Sequence, residues 1–474
     1  MKQRGQDAGL ALITQRSAAG SACTGKKHGL KKSAPRFWGF AAIVTDNGAV
    51  EEGERPMGFK FVHAADIHLD SPLRGLSAYE NAPAERLRNA SRDAFRELVT
   101  KAIDEQVTFM VIAGDLYDGD WRDYNTGIFF IGQMGRLAKA GIRVYLLHGN
   151  HDAESEMTKK LTLPDNVTVF SSKSAQVHKV DGYKVALHGH SFASKAVADN
   201  LASSYMAKVE GHYNIGVLHT ALEGYAAHPN YAPCTVAELH GKGYDYWALG
   251  HVHEFQQWKD QSTIVFPGNL QGRHVRETGR KGAVCVTVDD SGHTAVDRMY
   301  MDVLRWEVLH VDVSDCTSFD DVARKVGRGL AGLLEADSVA RAVRVILEGK
   351  SCLHAMLTGN SAMVRAQVLA QAAAVDEDQL WVEKVKVATT SPKGAVPGDA
   401  REALGELEEI FAEASSDPDF LEHLQQQLQP FLNKVSDELK EDVPLLELAR
   451  HKRLADLVHE VAPGLLAQLG SKGL

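Results

Sequence analysis

Five short segments join carboxylate, amide and imidazole side chains in one order: Asp66-Ile67-His68, Gly114-Asp115, Gly149-Asn150-His151-Asp152, His219 after an apolar run, and Gly250-His251-Val252-His253. This mixture of hard and borderline donors suits Mn, Fe or Zn better than a thiolate-seeking metal. No cysteine takes part. Hydrolysing a phosphate ester needs a nucleophile at neutral pH and neutralised phosphoryl oxygens, and two metals about 3.5 to 4 Å apart supply both. Asp115 is the natural bridge, since its carboxylate offers one oxygen to each ion and it stands in the middle of the order. A hydroxide held between two divalent metal ions, its pKa lowered by them, would be the attacking group, so no protein nucleophile is required.

The segments must be brought together by the elements that precede them. Each follows an apolar run: 59–64 leads into Asp66, 108–113 into Asp115, 142–147 into the 149–152 loop, 215–218 into His219 and 246–249 into His251. In layered α/β proteins ligands gather beyond the carboxyl ends of strands, where five distant segments can converge. Ala90, Ala94, Leu98 and Ile103 recur at near-helical spacing, and 128–140 reads as a helix stopped by Gly141. Val284, Val286 and Val288 alternate with less apolar neighbours, as in a strand that closes this domain near residue 300.

Further on, the pattern predicts a small strand–helix–strand–helix–strand module: strands at 306–313, 342–347 and 380–387, a helix bearing Phe319, Val322, Val326 and Leu330, and another over 362–374. Ser391-Pro392-Lys393-Gly394 and Pro397-Gly398 read as a linker. Beyond it a helical region carries an apolar stripe at Leu404, Leu407, Ile410 and Phe411, and Pro418, Pro430, Pro444 and Pro463 are expected to divide it into short helices. The resulting organisation is an N-terminal extension over 1–56, read as disordered, a catalytic domain over 57–300, an α/β cap over 301–388, a linker over 389–399 and a helical region over 400–474 suited to partner binding.

Composition narrows the class. A 474-residue chain with 44% hydrophobic residues can bury a sizeable core. Its five cysteines are scattered without CxxC spacing, which fits a reducing cytoplasm. No stretch approaches the roughly 18 uninterrupted apolar residues of a spanning helix, so no membrane is expected. A net charge of −10 is the wrong sign for coating nucleic acid through a globally basic surface. It still allows an enzyme whose metals and a few local cations neutralise one phosphodiester.

Taken together, the ordered motifs resemble the calcineurin-like metallophosphoesterase superfamily over roughly residues 59 to 290. The stretches from His63 to Leu73 (HAADIHLDSPL) and from Phe266 to Arg273 (FPGNLQGR) resemble its DNA-repair exonuclease branch, the SbcD-like and YhaO-like nucleases. The resemblance implies a four-layer sandwich of two mixed β-sheets flanked by helices, with an α/β cap and C-terminal helices. It implies that Asp66, His68, Asp115 and His253 hold one metal while Asp115, Asn150, His219 and His251 hold the other, with manganese as the activating ion. His151 would protonate the leaving oxygen, as befits a side chain whose unperturbed charge change falls near neutral pH, with Asp152 orienting it. The implied partners are DNA and a coiled-coil ABC- or SMC-type ATPase bound through the helices after the cap, and a homodimer is compatible with the chain.

Several residues have plainer readings. Asp-x-His alone occurs by chance about once in a chain this long, whereas the whole ordered set does not. His188-Gly189-His190 mimics a ligand pair but falls outside the five motifs, and His63 and His148 read as core histidines with satisfied nitrogens. Arg273, His274 and Arg276 follow the Pro267-Gly268-Asn269 turn and could either grip a phosphate or pair with acidic neighbours. Three functions compete: a DNA exo/endonuclease, a phosphatase or phosphodiesterase acting on a phosphoprotein or small molecule, and a non-catalytic scaffold. Protein phosphatases of the superfamily follow Gly-Asp with an Asp-Arg-Gly clamp. Here Gly114-Asp115 runs on through Leu116-Tyr117-Asp118-Gly119, without that arginine. The full ligand set opposes the scaffold reading.

Overall fold

A computed structural model describes residues 58–71, 84–118, 124–154, 162–222, 231–391, 407, 409–435 and 444–471. The expectations for residues 1–56, the 392–398 linker motifs and Leu404 lie outside the described residues. Three sheets organise the rest. The first has the order β12-β11-β1-β2-β3-β4 and the second β5-β6-β7-β8-β10-β9, six strands each, and the third is the three-stranded β13-β14-β15.

In the first sheet β1 (Phe59–Ala64), β2 (Phe109–Ala113), β3 (Arg143–Leu147) and β4 (Val167–Val169) run parallel. β11 (Gly282–Val288) and β12 (Thr294–Tyr300) add an antiparallel pair on the β1 side. The expected closing strand is therefore a hairpin. Its second strand is a sheet edge with alternating half-exposed residues, too polar to stand out as an apolar run. In the second sheet β6 (Val185–Gly189), β7 (Tyr213–His219), β8 (Tyr246–Gly250) and β10 (Thr263–Phe266) are parallel, with antiparallel edges β5 (Gln176–Lys179) and β9 (Gln256–Lys259).

The inner strands of both sheets are buried on both faces, which is why they read as continuous apolar runs. One face of the first sheet packs Val62, Met110, Ile112 and Val144 under α1 (Ala84–Asp104) and α2 (Tyr124–Lys139). Its other face sets Phe61, Phe109, Val111 and Tyr145 against Ile215, Val217, Tyr246 and Ala248 of the second sheet. The outer face of the second sheet is covered by Leu239 of the helix Val236–Gly241, together with Tyr205 and Tyr244. The result is the four-layer α/β sandwich of two mixed sheets flanked by helices that the resemblance implies.

The third sheet is parallel: β13 (Leu304–Asp312), β14 (Ala340–Lys350) and β15 (Leu380–Thr390). Helices Phe319–Leu334 and Ser361–Asp376 fill one of its faces with Val322, Val326, Leu330, Val364 and Val368. The other face docks on the sandwich through Leu304, Trp306, Ala340 and Ala342 against Leu87 and Ala90 of α1. Trp306 Nε1–H donates to Gly272 O at 3.1 Å, and Gln271 Oε1 accepts from Val303 N–H at 2.9 Å, so this module grips the 271–273 segment.

The C-terminal helices depart from the expected division. Pro418 and Pro444 begin helices Pro418–Leu432 and Pro444–Arg450, where a missing N–H costs nothing. Pro430 and Pro463 lie inside helices, the second within Leu454–Ser471. Pro430 falls in the last turn, where one lost bond is readily tolerated. Around Pro463, the burial of Leu454, Leu457 and Ala462 holds the helix together. Among the described residues no helix is long and apolar enough to cross a membrane.

Candidate metal centre

All five motifs sit at carboxyl ends of adjacent parallel strands, three in the first sheet and two in the second. Asp66 and His68 follow β1, Asp115 follows β2 and Asn150 follows β3, while His219 ends β7 and His251 and His253 follow β8. The connections after β1 and β2 are joined: Asp66 N–H donates to Gly114 O (3.1 Å) and His68 N–H to Asp115 O (3.0 Å). To turn their side chains toward one point, Asp66, His68, Asp115 and His251 adopt φ of 49°, 45°, 51° and 106°. Non-glycine residues rarely occupy that region, and each such residue costs on the order of 1–3 kcal/mol. Strain concentrated on four would-be ligands is the cost of convergence.

Three groups of donor atoms result, Asp66 with His68 and His253, Asp115 with His219 and His251, and at the edge His68 with Asp118 and His151, the atoms of each lying within 4.8 Å of one another. Asp115 Oδ2 stands 3.4 Å from His219 Nε2 and 3.9 Å from His68 Nε2, so this carboxylate lies between the first two groups. His68 Nε2 is 3.3 Å from His253 Nε2, and Asn150 Oδ1 is 2.9 Å from His219 Nε2. The expected ligands are thus brought to one place. Asp66, Asp115, His68 and His219 are at most 1% exposed.

The electrostatics are those of a site that seeks cations. Burial pushes the Asp66 carboxyl up to about 6 despite the pull of His253 and His219. Burial opposes charge on His219 as well, yet the Asp115 carboxylate outweighs it and raises the imidazole to about 9. Asp115 is held well below the usual carboxylate range, burial notwithstanding, by His219 and His68. Two buried carboxylates facing imidazoles fit divalent ions, which would replace the protons. Residues Asp66, His68, His253 and Asp115, and Asp115, Asn150, His219 and His251, would hold them.

His151 stands at the edge of this cluster, its ring 5.1 Å from that of His68 and its side chain 38% exposed. The orienting group beside it differs from the expectation. Asp152 is 1% exposed and accepts backbone N–H bonds from Tyr117 (2.9 Å), Gly149 (3.0 Å) and Leu116 (3.2 Å), tying the β2 loop to the β3 loop. The short helix Asn150–Glu154 turns that carboxylate inward, where burial and Asp115 push it up to about 7. The carboxylate within reach of His151 is Asp118, 3.2 Å from Nδ1, which also lies 2.8 Å from His68 Nδ1.

Of the three basic candidates, Arg273 reaches into the cluster, toward two carboxylates. Its Nη2 lies 3.2 Å from Glu277 Oε1, and Nη1 lies 3.7 Å from Asp118 Oδ1. His274 is half exposed with Nε2 3.7 Å from Glu277, and Arg276 is exposed. Glu277 is 2.7 Å from His253 Nδ1. Sequence reasoning missed Asp118 and Glu277, although one stands three residues after Asp115 and the other four after Arg273.

The set-aside histidines fall apart from the cluster. His63 bonds Tyr246 Oη (3.0 Å) and Leu249 O (3.1 Å) in the core, and His188 bonds Asn214 Oδ1 (2.9 Å) and stacks on Tyr244. His148 departs from its expectation: its Nε2 is buried without a hydrogen-bond partner, and burial depresses the ring to about 4.

A sandwich of two mixed sheets with carboxylate, amide and imidazole donors on one rim defines a metal-dependent phosphoesterase. The chain belongs to the calcineurin-like phosphoesterase family, whose model matches residues 59–255, and residues 306–390 match the middle domain of metallophosphoesterase YhaO. It is 34% identical over 293 residues to the uncharacterized metallophosphoesterase YhaO of Bacillus subtilis (strain 168), covering 61% of this chain and 71% of that protein. It is 24% identical over 298 residues to the DNA double-strand break repair protein Mre11 of Methanopyrus kandleri, covering 57% of this chain and 63% of that protein. Against the Mre11 of Sulfurisphaera tokodaii identity is 24% over 304 residues, with 62% and 74% covered.

Proposed function

We propose that this centre hydrolyses phosphodiester bonds in DNA, as an exo- or endonuclease in DNA repair, using manganese as the activating ion. The observation that carries the reading is Asp115, whose one carboxylate faces both groups of expected ligand atoms. The names of the Mre11 relatives support DNA as substrate. The arginine of the phosphatase clamp is missing after Asp118, where Gly119 stands, which opposes a phosphoprotein substrate.

Bound divalent ions supply charge neutralisation on the phosphoryl oxygens and a water of lowered pKa. The chain's own groups do the rest. His151, held through Nδ1 by Asp118, presents its other nitrogen to donate a proton to the leaving oxygen. Arg273, between Asp118 and Glu277, would bond a non-bridging phosphate oxygen. A coiled-coil ATPase on the C-terminal helices and a cytoplasmic location belong to the same proposal. The described cysteines, Cys234, Cys285, Cys316 and Cys352, are free thiols.

The test is hydrolysis of linear and hairpin DNA with Mn²⁺ or Mg²⁺, beside a p-nitrophenyl diester and a phosphopeptide. Turnover of DNA and the diester but not the phosphopeptide is expected. Phosphopeptide turnover without DNA cleavage would replace this reading with the phosphatase one.

A further inference from the structure

We propose that the rim next to the metal centre carries a track for single-stranded nucleic acid, built from Phe255, Arg298, Tyr300 and Arg280. The inference rests on the phosphodiester reading above. Arg298 and Tyr300 are two apart on β12, the edge strand of the first sheet, and so share a face. The Arg298 guanidinium lies 4.5 Å over the Phe255 ring and 4.8 Å over Tyr300, and Arg280 lies 4.9 Å over Tyr300. Ring, cation, ring and cation therefore alternate along the edge. Tyr300 is 43% exposed, and both arginines are exposed.

The track is continuous with the centre. Phe255 follows the ligand His253 by two residues, and Lys281, next to Arg280, donates from Nζ to His253 O at 2.8 Å. Gly282 N–H bonds Asn269 O, and Asn269 bridges to Ala65 beside Asp66. The C-terminal end of β12 thus lies on the rim where the ligands converge.

Its chemistry selects an occupant. Planar guanidinium and phenol faces stack on bases, while arginine edges bond phosphates. Stacking requires bases with exposed faces, which a duplex hides and a single strand offers. In a chain of net charge −10, the exposed Arg280 and Arg298 bring local positive charge to this edge, Arg280 reaching Asp337 at 3.4 Å as well, while Lys281 is buried. Stacked arginines could instead merely shield a sheet edge from other strands. The two roles differ in what they bind.

The test uses the full chain, wild type and Arg298→Gln/Tyr300→Leu, with a labelled single-stranded oligonucleotide read by anisotropy in Ca²⁺, and bis-p-nitrophenyl phosphate hydrolysis in Mn²⁺. The double variant is expected to bind the oligonucleotide about tenfold more weakly, with small-diester turnover and melting temperature unchanged. Arg298→Lys, which keeps the charge but loses the plane, should fall between. If wild type binds and cleaves DNA and the double variant binds it equally, the track alone is overturned. If wild type hydrolyses the small diester and binds no oligonucleotide, track and DNA substrate both fall.

Discussion

Glu277 Oε1 lies 2.7 Å from Nδ1 of His253, and the other carboxylate oxygen takes N–H bonds from the Arg273 backbone at 2.7 Å and from Asn269 Nδ2 at 3.0 Å. Burial would raise this carboxyl, yet His253 and Arg273 hold it far below the usual range. An anion fixed in this way orients the imidazole and leaves Nε2 facing Asp66 and His68. Glu277→Gln is expected to weaken metal binding about 10- to 100-fold and also to lower the metal-free melting temperature, since Arg273 and His253 lose their buried counter-charge. Titration of the apo protein with Mn²⁺ by calorimetry checks this, and wild-type affinity would remove the orienting role.

Asp118 faces two histidines, so its loss should act on both. His151→Asn is expected to retain metal and lose about 10²- to 10⁴-fold in turnover, whereas Asp115→Asn should lose metal itself. Asp118→Asn should lower turnover and also loosen metal binding through His68. Metal content by atomic absorption, measured beside diester kinetics, separates the three. Equal turnover by His151→Asn and wild type would exclude the proton-donor assignment.

Why were the ligands legible in the sequence while their supports were not? The ligands lie within four residues of strand ends, so local spacing announces them. Asp118 meets His68 across 50 residues and Glu277 meets His253 across 24, and no local pattern encodes either meeting. Asp152 shows the opposite error. Adjacency to His151 suggested a partner, but one turn of helix sends the carboxylate inward to three backbone amides. Pro430 and Pro463 were misread because proline was weighed as a breaker without the packing that opposes it. The apolar runs of the inner strands, by contrast, were readable because both faces of each sheet are covered.

His63 gives a pH signature independent of any metal. It is fully buried, and burial depresses its ring to about 3 from an unfolded value of 6.5, against the weaker pull of the Leu249 carbonyl. A base whose folded pKa is depressed contributes stability that is present above 6.5 and lost as pH falls toward 3, because the unfolded chain takes the proton first. His63→Gln should therefore flatten the acid limb of the stability curve between pH 6.5 and 4, by an amount on the order of a few kcal/mol. Urea unfolding across that range tests it; parallel curves for variant and wild type would show that His63 does not carry the acid sensitivity.

Gly149 is fixed by space and not by backbone angle. A Cβ there would meet Asp115 Oδ1 at 2.3 Å and the Asp115 nitrogen at 2.8 Å, closer than carbon atoms approach either. The same residue donates its N–H to Asp152 at 3.0 Å, so the loop cannot retreat without breaking the tie to β2. Gly149→Ala should therefore displace the shared carboxylate and abolish turnover, with a stability loss of about 1–3 kcal/mol. Gly141→Ala is the control: φ is +75° and a Cβ would meet nothing within 4 Å, so it should cost about 1 kcal/mol of stability and leave metal uptake intact. Isothermal titration with Mn²⁺ distinguishes the two, and a Gly149→Ala protein that binds metal like wild type would mean that Asp115 does not need its present position.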